Sequence, residues 1–491
     1  MKFEIVIVGS GLGGLVCGCY LAREGFRVLI VEKNEKVGGF CSSFNRNGFV
    51  FDAGPHSLGS CRKSGYLGSI IRELGINSKV DIRRTDPSDL IITPKHTVRF
   101  WSDSSRTLKE LQAAFPVESV SLKRWFDFVT KPSVTTLYKQ LFGMSMDELL
   151  SKFFKDRTLR GLLSVPIENL GEPPTRASAW SSVLVLREHI FDGGYYPRGG
   201  MQQFSNAFRD IFEESGGEIL LNSQVKKIQV KNGKVVGVAL STGKAVEAKA
   251  VVSNIDLFEI SRLLDNNKAN YPQLIRSKLS NKSMRFGTSA VVGYFGFNGE
   301  MDSPIKDCSS FWFCRTDRLM DRANLTTTEL KSTSEIRADI PLLCSMPSAH
   351  DKSLSPIGAS SLYTFLNCEV SDSIDDKIDT NSVRNKLINL VEHLLPGFKS
   401  KLVLAELALP KTFVKYNLCS GGSIRGWACS ADQDLSTPIR QGFPVHGLFY
   451  VGHWASRIGP GGVAMAVLSG KRIARMIISM REKKRCFEGS K

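Results

Sequence analysis

The stretch Lys2-Phe3-Glu4-Ile5-Val6-Ile7-Val8-Gly9-Ser10-Gly11-Leu12-Gly13-Gly14, followed by a helical run to Gly25 and then Phe26-Arg27-Val28-Leu29-Ile30-Val31-Glu32, decides the fold. Its order is strand, glycine turn, helix, strand, acid. In such a unit Gly9 permits the tight turn off the strand, Gly11 brings bare backbone to a pyrophosphate, and Gly14 lets helix and strand pack closely. The phosphate charges then sit on the positive, amide-rich end of the helix. Glu32 closes the second strand, where a carboxylate accepts hydrogen bonds from a ribose diol. Glycines alone also fit an ordinary turn; the two apolar strands and the acid make this a dinucleotide-binding unit. Ser10, Leu12, Gly13 and Lys33 belong to the same expected set.

A chain of 491 residues has length for two or three domains with ample core. Its 65 basic against 48 acidic residues leave a formal charge of +17, which points to an anionic partner such as a membrane surface, with a merely basic soluble surface as the plain alternative. No nucleic-acid motif accompanies the charge, so no nucleic-acid partner is expected. With Met1 so close to the first strand no signal peptide is expected, and with no run of about 18 apolar residues no membrane span is expected. The eleven cysteines are odd in number, scattered and without a Cys-x-x-Cys pair, as reduced thiols are. The expected location is cytoplasmic, peripherally associated with the membrane. The seven histidines are too dispersed to specify a metal site, and none is expected.

After Glu32 come Val37-Gly38-Gly39-Phe40-Cys41-Ser42 and Phe49-Val50-Phe51-Asp52-Ala53-Gly54-Pro55-His56. The glycine pair offers further bare amides, and the alternating phenylalanines mark a short strand entering another turn. Here the chain resembles the large flavoprotein group that includes amine oxidases and phytoene desaturases. The resemblance implies FAD as the cofactor, with Gly38, Gly39, Phe40, Cys41, Ser42, Gly54, Pro55 and His56 beside its pyrophosphate and isoalloxazine.

Residues 108–163 carry helical spacing punctuated by Pro116, Pro132 and Gly143. Aromatics and bases mix there: Lys123, Arg124, Trp125, Phe126, Phe128, Lys131, Tyr138, Lys139, Phe142, Lys152, Phe153, Phe154, Lys155. The mixture suits helices lying in a membrane interface, or amphipathic helices over a substrate pocket.

Tyr196-Pro197-Arg198-Gly199-Gly200 is similar to a tract of the phytoene desaturase and carotenoid isomerase family. That resemblance puts Arg187, His189, Tyr195 and Arg198 near the flavin ring; with His56 they are weak catalytic candidates, each with a structural role as its alternative. Asn232-Gly233 between alternating strands marks a type I′ hairpin. The family implies that Val225 meets the adenine through its backbone and that Ser253-Asn254 returns the chain to the nucleotide site. Phe286 to Phe297 and Leu362 to Asn367 alternate as strands, and Asn381 to Leu395 has helical spacing. Leu354 to Ala359 resembles a family turn before the floor of the substrate cavity.

Near the end, Phe449-Tyr450-Val451-Gly452-His453-Trp454 and Gly461-Gly462-Val463 repeat strand, glycine and helix start, a second set of amides for the flavin half. Many relatives carry an acid where this chain has His453, which could donate to a ribityl hydroxyl or phosphate or pack as a hydrogen-bonded histidine.

The expected architecture is α/β: a Rossmann-type FAD-binding domain from residues 1–75, 190–256 and 436–491, with an inserted α+β substrate domain from 76–189 and 257–435. With no Ser-His-Asp order, metal cluster or Walker loop, the chemistry belongs to the flavin. The resemblance implies a hydrophobic polyene or isoprenoid substrate, with carotenoid desaturation by hydride transfer to the flavin foremost. Carotenoid isomerisation, retinoid saturation, amine oxidation and a flavin-binding membrane escort without turnover are the alternatives. Oligomeric state is not legible.

Overall fold

The computed structural model describes residues 1–264, 285–300, 308, 310–332, 335–370, 378–434, 445–455 and 462–488. Five parallel strands carry the glycine turn, in the order Leu448–Tyr450, Ala250–Ser253, Ile5–Val8, Val28–Val31 and Glu218–Leu220. Three distant parts of the chain thus share one sheet. Its central strand is buried throughout because both faces are covered, which is why it is continuously apolar. Ile5 and Ile7 point to the helix side, among Leu15, Phe208, Val467 and Ile473. Val6 and Val8 point to the other side, against Val225, Ile228 and Val238. That second face is covered by an antiparallel meander, Val225–Lys231, Lys234–Leu240 and Ala245–Glu247. Asn232 and Gly233 turn its first hairpin with φ of 50° and 72°, the left-handed pair that a type I′ turn needs.

The helix side is built from Leu12–Arg23, Met201–Glu214 and the long final helix Gly462–Glu488. The first and last helices touch backbone to backbone. A Cβ on Gly470 would stand 2.3 Å from the carbonyl oxygen of Gly13.

The other large sheet has seven strands, in the order Leu402–Ala408, Ser289–Asn298, Ala359–Cys368, Leu342–Ser345, Ser310–Phe313, Asp89–Ile92 and Thr97–Phe100. The alternation of Phe286 to Phe297 does not divide a wet face from a dry one. Ala290, Val292 and Tyr294 face one apolar cluster, and Val291, Phe295 and Phe297 another. The stretch after Val80 holds three strands of four residues, beginning with Ile82–Thr85. Each is too short to show a period, and Ile-Arg-Arg-Thr is charged in the middle.

Five helices, Ser104–Ala114, Ser119–Thr130, Val134–Leu141, Met146–Phe153 and Arg157–Ser164, share one apolar core with a face of this sheet, the first of them packing on Thr97–Phe100. Ser145 and Glu148 close a capping box on the fourth. Of the aromatics expected to meet lipid, Trp125, Phe126 and Phe154 are instead buried in the protein core, while Lys123, Arg124, Lys131, Lys139, Lys152 and Lys155 are all exposed. No helix among the described residues is long and apolar enough to cross a membrane, and the ten described cysteines are free.

Gly470→Val puts a side chain where the two helices share backbone contact. It is expected to cost about 1–3 kcal/mol, seen as a lower midpoint in guanidinium unfolding.

Candidate functional site

A cavity of about 390 Å³ runs between the parallel sheet and the seven-stranded sheet. At one end it meets the glycine turn. Gly9 has a φ of +90°, which turns the chain off the strand. A Cβ on Gly14 would stand 2.5 Å from the Gly9 carbonyl oxygen, and one on Gly13 would stand 2.6 Å from the Gly452 nitrogen. A Cβ on Gly11 would lie 2.5 Å from the amide nitrogen of the Asn254 side chain. These residues must be small because other parts of the protein already occupy the space. The first helix begins at Leu12 with no side-chain cap and no acid in its first turn. Its free amides and positive end are therefore open to an anion in the cavity.

Glu32 is buried and its carboxylate is fixed. Oε2 accepts from Ser10 N at 2.9 Å and Ser10 Oγ at 2.8 Å, and Oε1 accepts from Asn34 N at 2.9 Å. Ser10 thus stands behind the wall as the residue that orients the acid, instead of lining the cavity as expected. Gly14, Ser42 and Ser253 are also displaced from the wall: Gly14 packs on Gly9, Ser42 Oγ donates to Gly39 O at 2.7 Å, and Ser253 lies inside the sheet. Gly9, Gly11, Leu12, Gly13, Glu32, Lys33, Gly38, Gly39, Phe40 and Cys41 do line it, as do Gly54, Pro55, His56, Val225, Asn254, Gly452, His453, Gly462 and Val463. Gly461 falls outside the described residues.

The wall residues hold three buried ring nitrogens without a protein partner among the described residues, His453 Nε2 and Trp454 Nε1 at this end and His56 Nε2 further along. Such atoms are costly when orphaned, so their presence in a wall of otherwise satisfied groups fits a polar cofactor edge. Gly426, at φ +74°, brings the chain against this histidine; a Cβ there would be 3.0 Å from His453 Cδ2.

At the other end, residues Leu186–Ile190 form a single π-helical turn, a feature that often marks functional positions. It brings Glu188 and His189 to the cavity. The loop carrying His56 is clamped to this turn: Ser60 N donates to Glu188 O at 2.5 Å, Ser60 Oγ to Glu188 Oε2 at 2.9 Å, and Arg62 to Glu188 Oε1 at 3.0 Å. Gly59 allows it, since a Cβ there would be 2.9 Å from His189 Cβ. Ser57 Oγ and His189 Nε2 are 2.9 Å apart. Burial pushes His56 down to about 3 and His189 and His453 to about 4, so all three rings are neutral at pH 7.

Three catalytic candidates lie elsewhere. Arg187 donates to Pro132 O at 2.6 Å on the far side of the π-turn. Tyr195 and Tyr196 alternate along one strand, so Tyr196 takes the buried place and donates to Asp52 Oδ2 at 2.5 Å while Tyr195 lies under Arg84. Arg198, just past that strand, is exposed.

One cation in the wall went unnoticed in the sequence. Arg425 donates to Thr288 Oγ1 at 3.3 Å, to Asn367 Oδ1 at 3.0 Å, to Glu168 O at 3.3 Å and to Asn169 O. All its acceptors are neutral. The turn that supplies two of them is held by the buried ion pair of Arg322 with Glu168, 2.5 Å apart. The glycines at 421, 422 and 426 were the available signal for a shaped backbone here.

The profile of the family described as flavin containing amine oxidoreductase matches residues 12–478. All-trans-retinol 13,14-reductase of Danio rerio is 23% identical over 91% of this chain and 82% of its own length. Chloroplastic prolycopene isomerase of Daucus carota is 25% identical over 84% of this chain and 70% of its own. Phytoene desaturase (neurosporene-forming) of Rhodobacter capsulatus is 25% identical over 96% and 93%. An oxidoreductase structure from Methanosarcina mazei superposes with a TM-score of 0.69 at 17% identity, covering 97% of this chain and 100% of the other.

Gly13→Val drives a side chain into Gly452 and Asn254, and the purified variant is expected to lack the flavin absorbance of the wild type. A histidine whose value is lower folded than unfolded gains a proton on unfolding, so acid favours the unfolded chain. His189 therefore withdraws stability as pH falls from 6.5 toward about 4. His189→Asn is expected to flatten the pH dependence of unfolding free energy in that window by up to one proton, as read from denaturant titrations across it.

Proposed function

The chain belongs to the flavin containing amine oxidoreductase family and is an FAD-dependent oxidoreductase, and we propose that it exchanges hydrogen with a carbon–carbon bond of a hydrophobic polyene, foremost in desaturating a phytoene-like carotenoid. One observation carries the choice of substrate. The end of the cavity near the π-turn is walled by Leu184, Val185, Val292, Leu343 and Phe365, and no carboxylate is free there to hold an ammonium. Among the described lining residues, Glu188 is taken by Arg62, Asp256 caps Ser420 and Phe258, and Glu259 pairs with Arg262.

FAD, when bound, supplies a two-electron oxidant for hydride leaving an allylic carbon. In this reading the open end of the first helix and Gly38-Gly39 hold the pyrophosphate, and Glu32, oriented by Ser10, takes the adenosine ribose. Val225 meets the adenine, and His453 and Trp454 offer their unpaired nitrogens to the flavin half. Residues 1–75, 190–256 and 436–491 form the FAD-binding domain, and 76–189 with 257–435 form the substrate domain. The apolar wall orients the polyene and excludes water.

A membrane surface is the fitting source of such a substrate. Val117 and Val120 are 98% and 75% exposed at the head of the helix that presents Lys123 and Arg124 to solvent, an apolar tip ringed by bases.

Anaerobic phytoene in liposomes is expected to bleach the yellow protein and to yield products lighter by one pair of hydrogens per new double bond. Unchanged product mass would reassign it as an isomerase, heavier product from reduced enzyme as a saturase, and peroxide release with polyamines would overturn the polyene reading. Val117→Glu with Val120→Glu is expected to abolish sedimentation with anionic liposomes while leaving the flavin spectrum intact.

A further inference from the structure

The wall of the large cavity is one ring thick at His56 and Tyr363. These two side chains line both it and a second space behind them, of about 10 Å³. Their rings stack at 6.1 Å and 23°, and Tyr363 Oη is engaged with Gly54 O at 3.2 Å. Asp52 and Ser361 also border the small space. Two polar atoms belonging to these walls, His56 Nε2 and Ser361 Oγ, are buried and have no protein partner among the described residues. A space of this size takes one water, and buried waters sit where polar groups are otherwise unsatisfied. Asp52 itself is anchored, accepting from Ser43 Oγ at 2.6 Å, Tyr196 Oη at 2.5 Å and Met201 N at 2.9 Å.

We infer that His56 carries the proton of the reaction between the large cavity and a single water held by His56 Nε2 and Ser361 Oγ beside Asp52. The inference rests on the FAD and polyene reading. Desaturation breaks two C–H bonds: one hydrogen leaves as hydride to FAD, which is reduced, and the electron pair of the other bond becomes the new double bond. The second hydrogen leaves as a proton to the cavity side of the imidazole, and Nε2 gives one up to the water. Saturation runs the same route backward. Of the two histidines in this wall, His189 is the less free, because its Nε2 is engaged by Ser57. Burial, His189 and Arg425 keep His56 unprotonated, ready to accept. A weak base suffices, because a proton next to a carbon that has lost hydride is strongly acidic. Burial raises the carboxyl of Asp52, so the water has a neighbour that takes protons more readily than an ordinary aspartate.

The test uses the full-length holoenzyme with phytoene in liposomes, following anaerobic flavin bleaching. His56→Ala is expected to keep the wild-type flavin spectrum, to bleach about 100-fold more slowly, and to recover about tenfold or more with imidazole in the buffer. Ser361→Val, which fills the small space, is expected to slow bleaching about tenfold. A His56→Ala enzyme as fast as wild type, or slow but deaf to imidazole, overturns the inference and leaves the polyene reading intact. If phytoene bleaches not even the wild type, the polyene reading fails. A high-resolution crystal structure still decides the water site: density bonded to His56 Nε2 and Ser361 Oγ supports it, and a dry space overturns it.

Discussion

No side chain fits where the first helix begins, and much of the molecule depends on that. Gly13 lies against the backbone of Gly452 and the side chain of Asn254, Gly14 against Gly9, and Gly470 of the last helix against Gly13. Van der Waals contact between main chains fixes the ends of three parallel strands and two helices to one another with little play. The same closeness leaves the first helix uncapped toward the cavity, so the packing constraint and the anion site are one arrangement. A methyl group would disturb both.

The opening strand, turn and acid were legible because every residue there obeys a local rule. The meander and its Asn232-Gly233 hairpin were legible for the same reason. What was lost depends on distance in sequence. Ser10 reads in the sequence as a member of the cofactor-binding set; its hydrogen-bond partner is Glu32, and only the parallel pairing of Ile5–Val8 with Val28–Val31 brings the two together. Tyr195 and Tyr196 are equivalent in a string of letters; which one faces inward is set by the register with Ile82–Thr85. Arg425 is held by acceptors on three other segments, so no spacing could mark it. The π-turn at Leu186–Ile190 has no composition of its own and exists because the loop holding Ser60 and Arg62 grips Glu188. Trp125, Phe126 and Phe154 show the limit of amphipathic arguments: the apolar side of a helix says that something covers it, and here the cover is the protein's own core, with Trp125 on Phe153 and Phe154 and Phe126 on Phe191.

The cavity is polarised. Toward the first helix it is ringed by amides, a fixed carboxylate and the half-buried Lys33, whose ammonium donates to Lys415 O at 3.0 Å. Toward the seven-stranded sheet it is hydrocarbon, interrupted by neutral histidines and by Arg425 on neutral acceptors. A buried guanidinium keeps its charge, so a fixed positive charge stands beside the apolar end, where it favours negative charge that develops next to it. A low-dielectric wall makes that bias strong at short range.

Because the parallel sheet takes its outermost strand from Leu448–Tyr450 and part of its helix layer from Gly462–Glu488, the nucleotide site cannot close before those segments have been made. On the ribosome the first strand meets Val28–Val31 early and Ala250–Ser253 later, while the glycine turn waits for Gly452 and the helix that carries Gly470. Such long-range closure is slow and leaves apolar surface uncovered in the meantime. Capture of the cofactor therefore follows synthesis of Leu448–Tyr450 and Gly462–Glu488, and the hydrophobic faces of the early strands are what a chaperone would meet first.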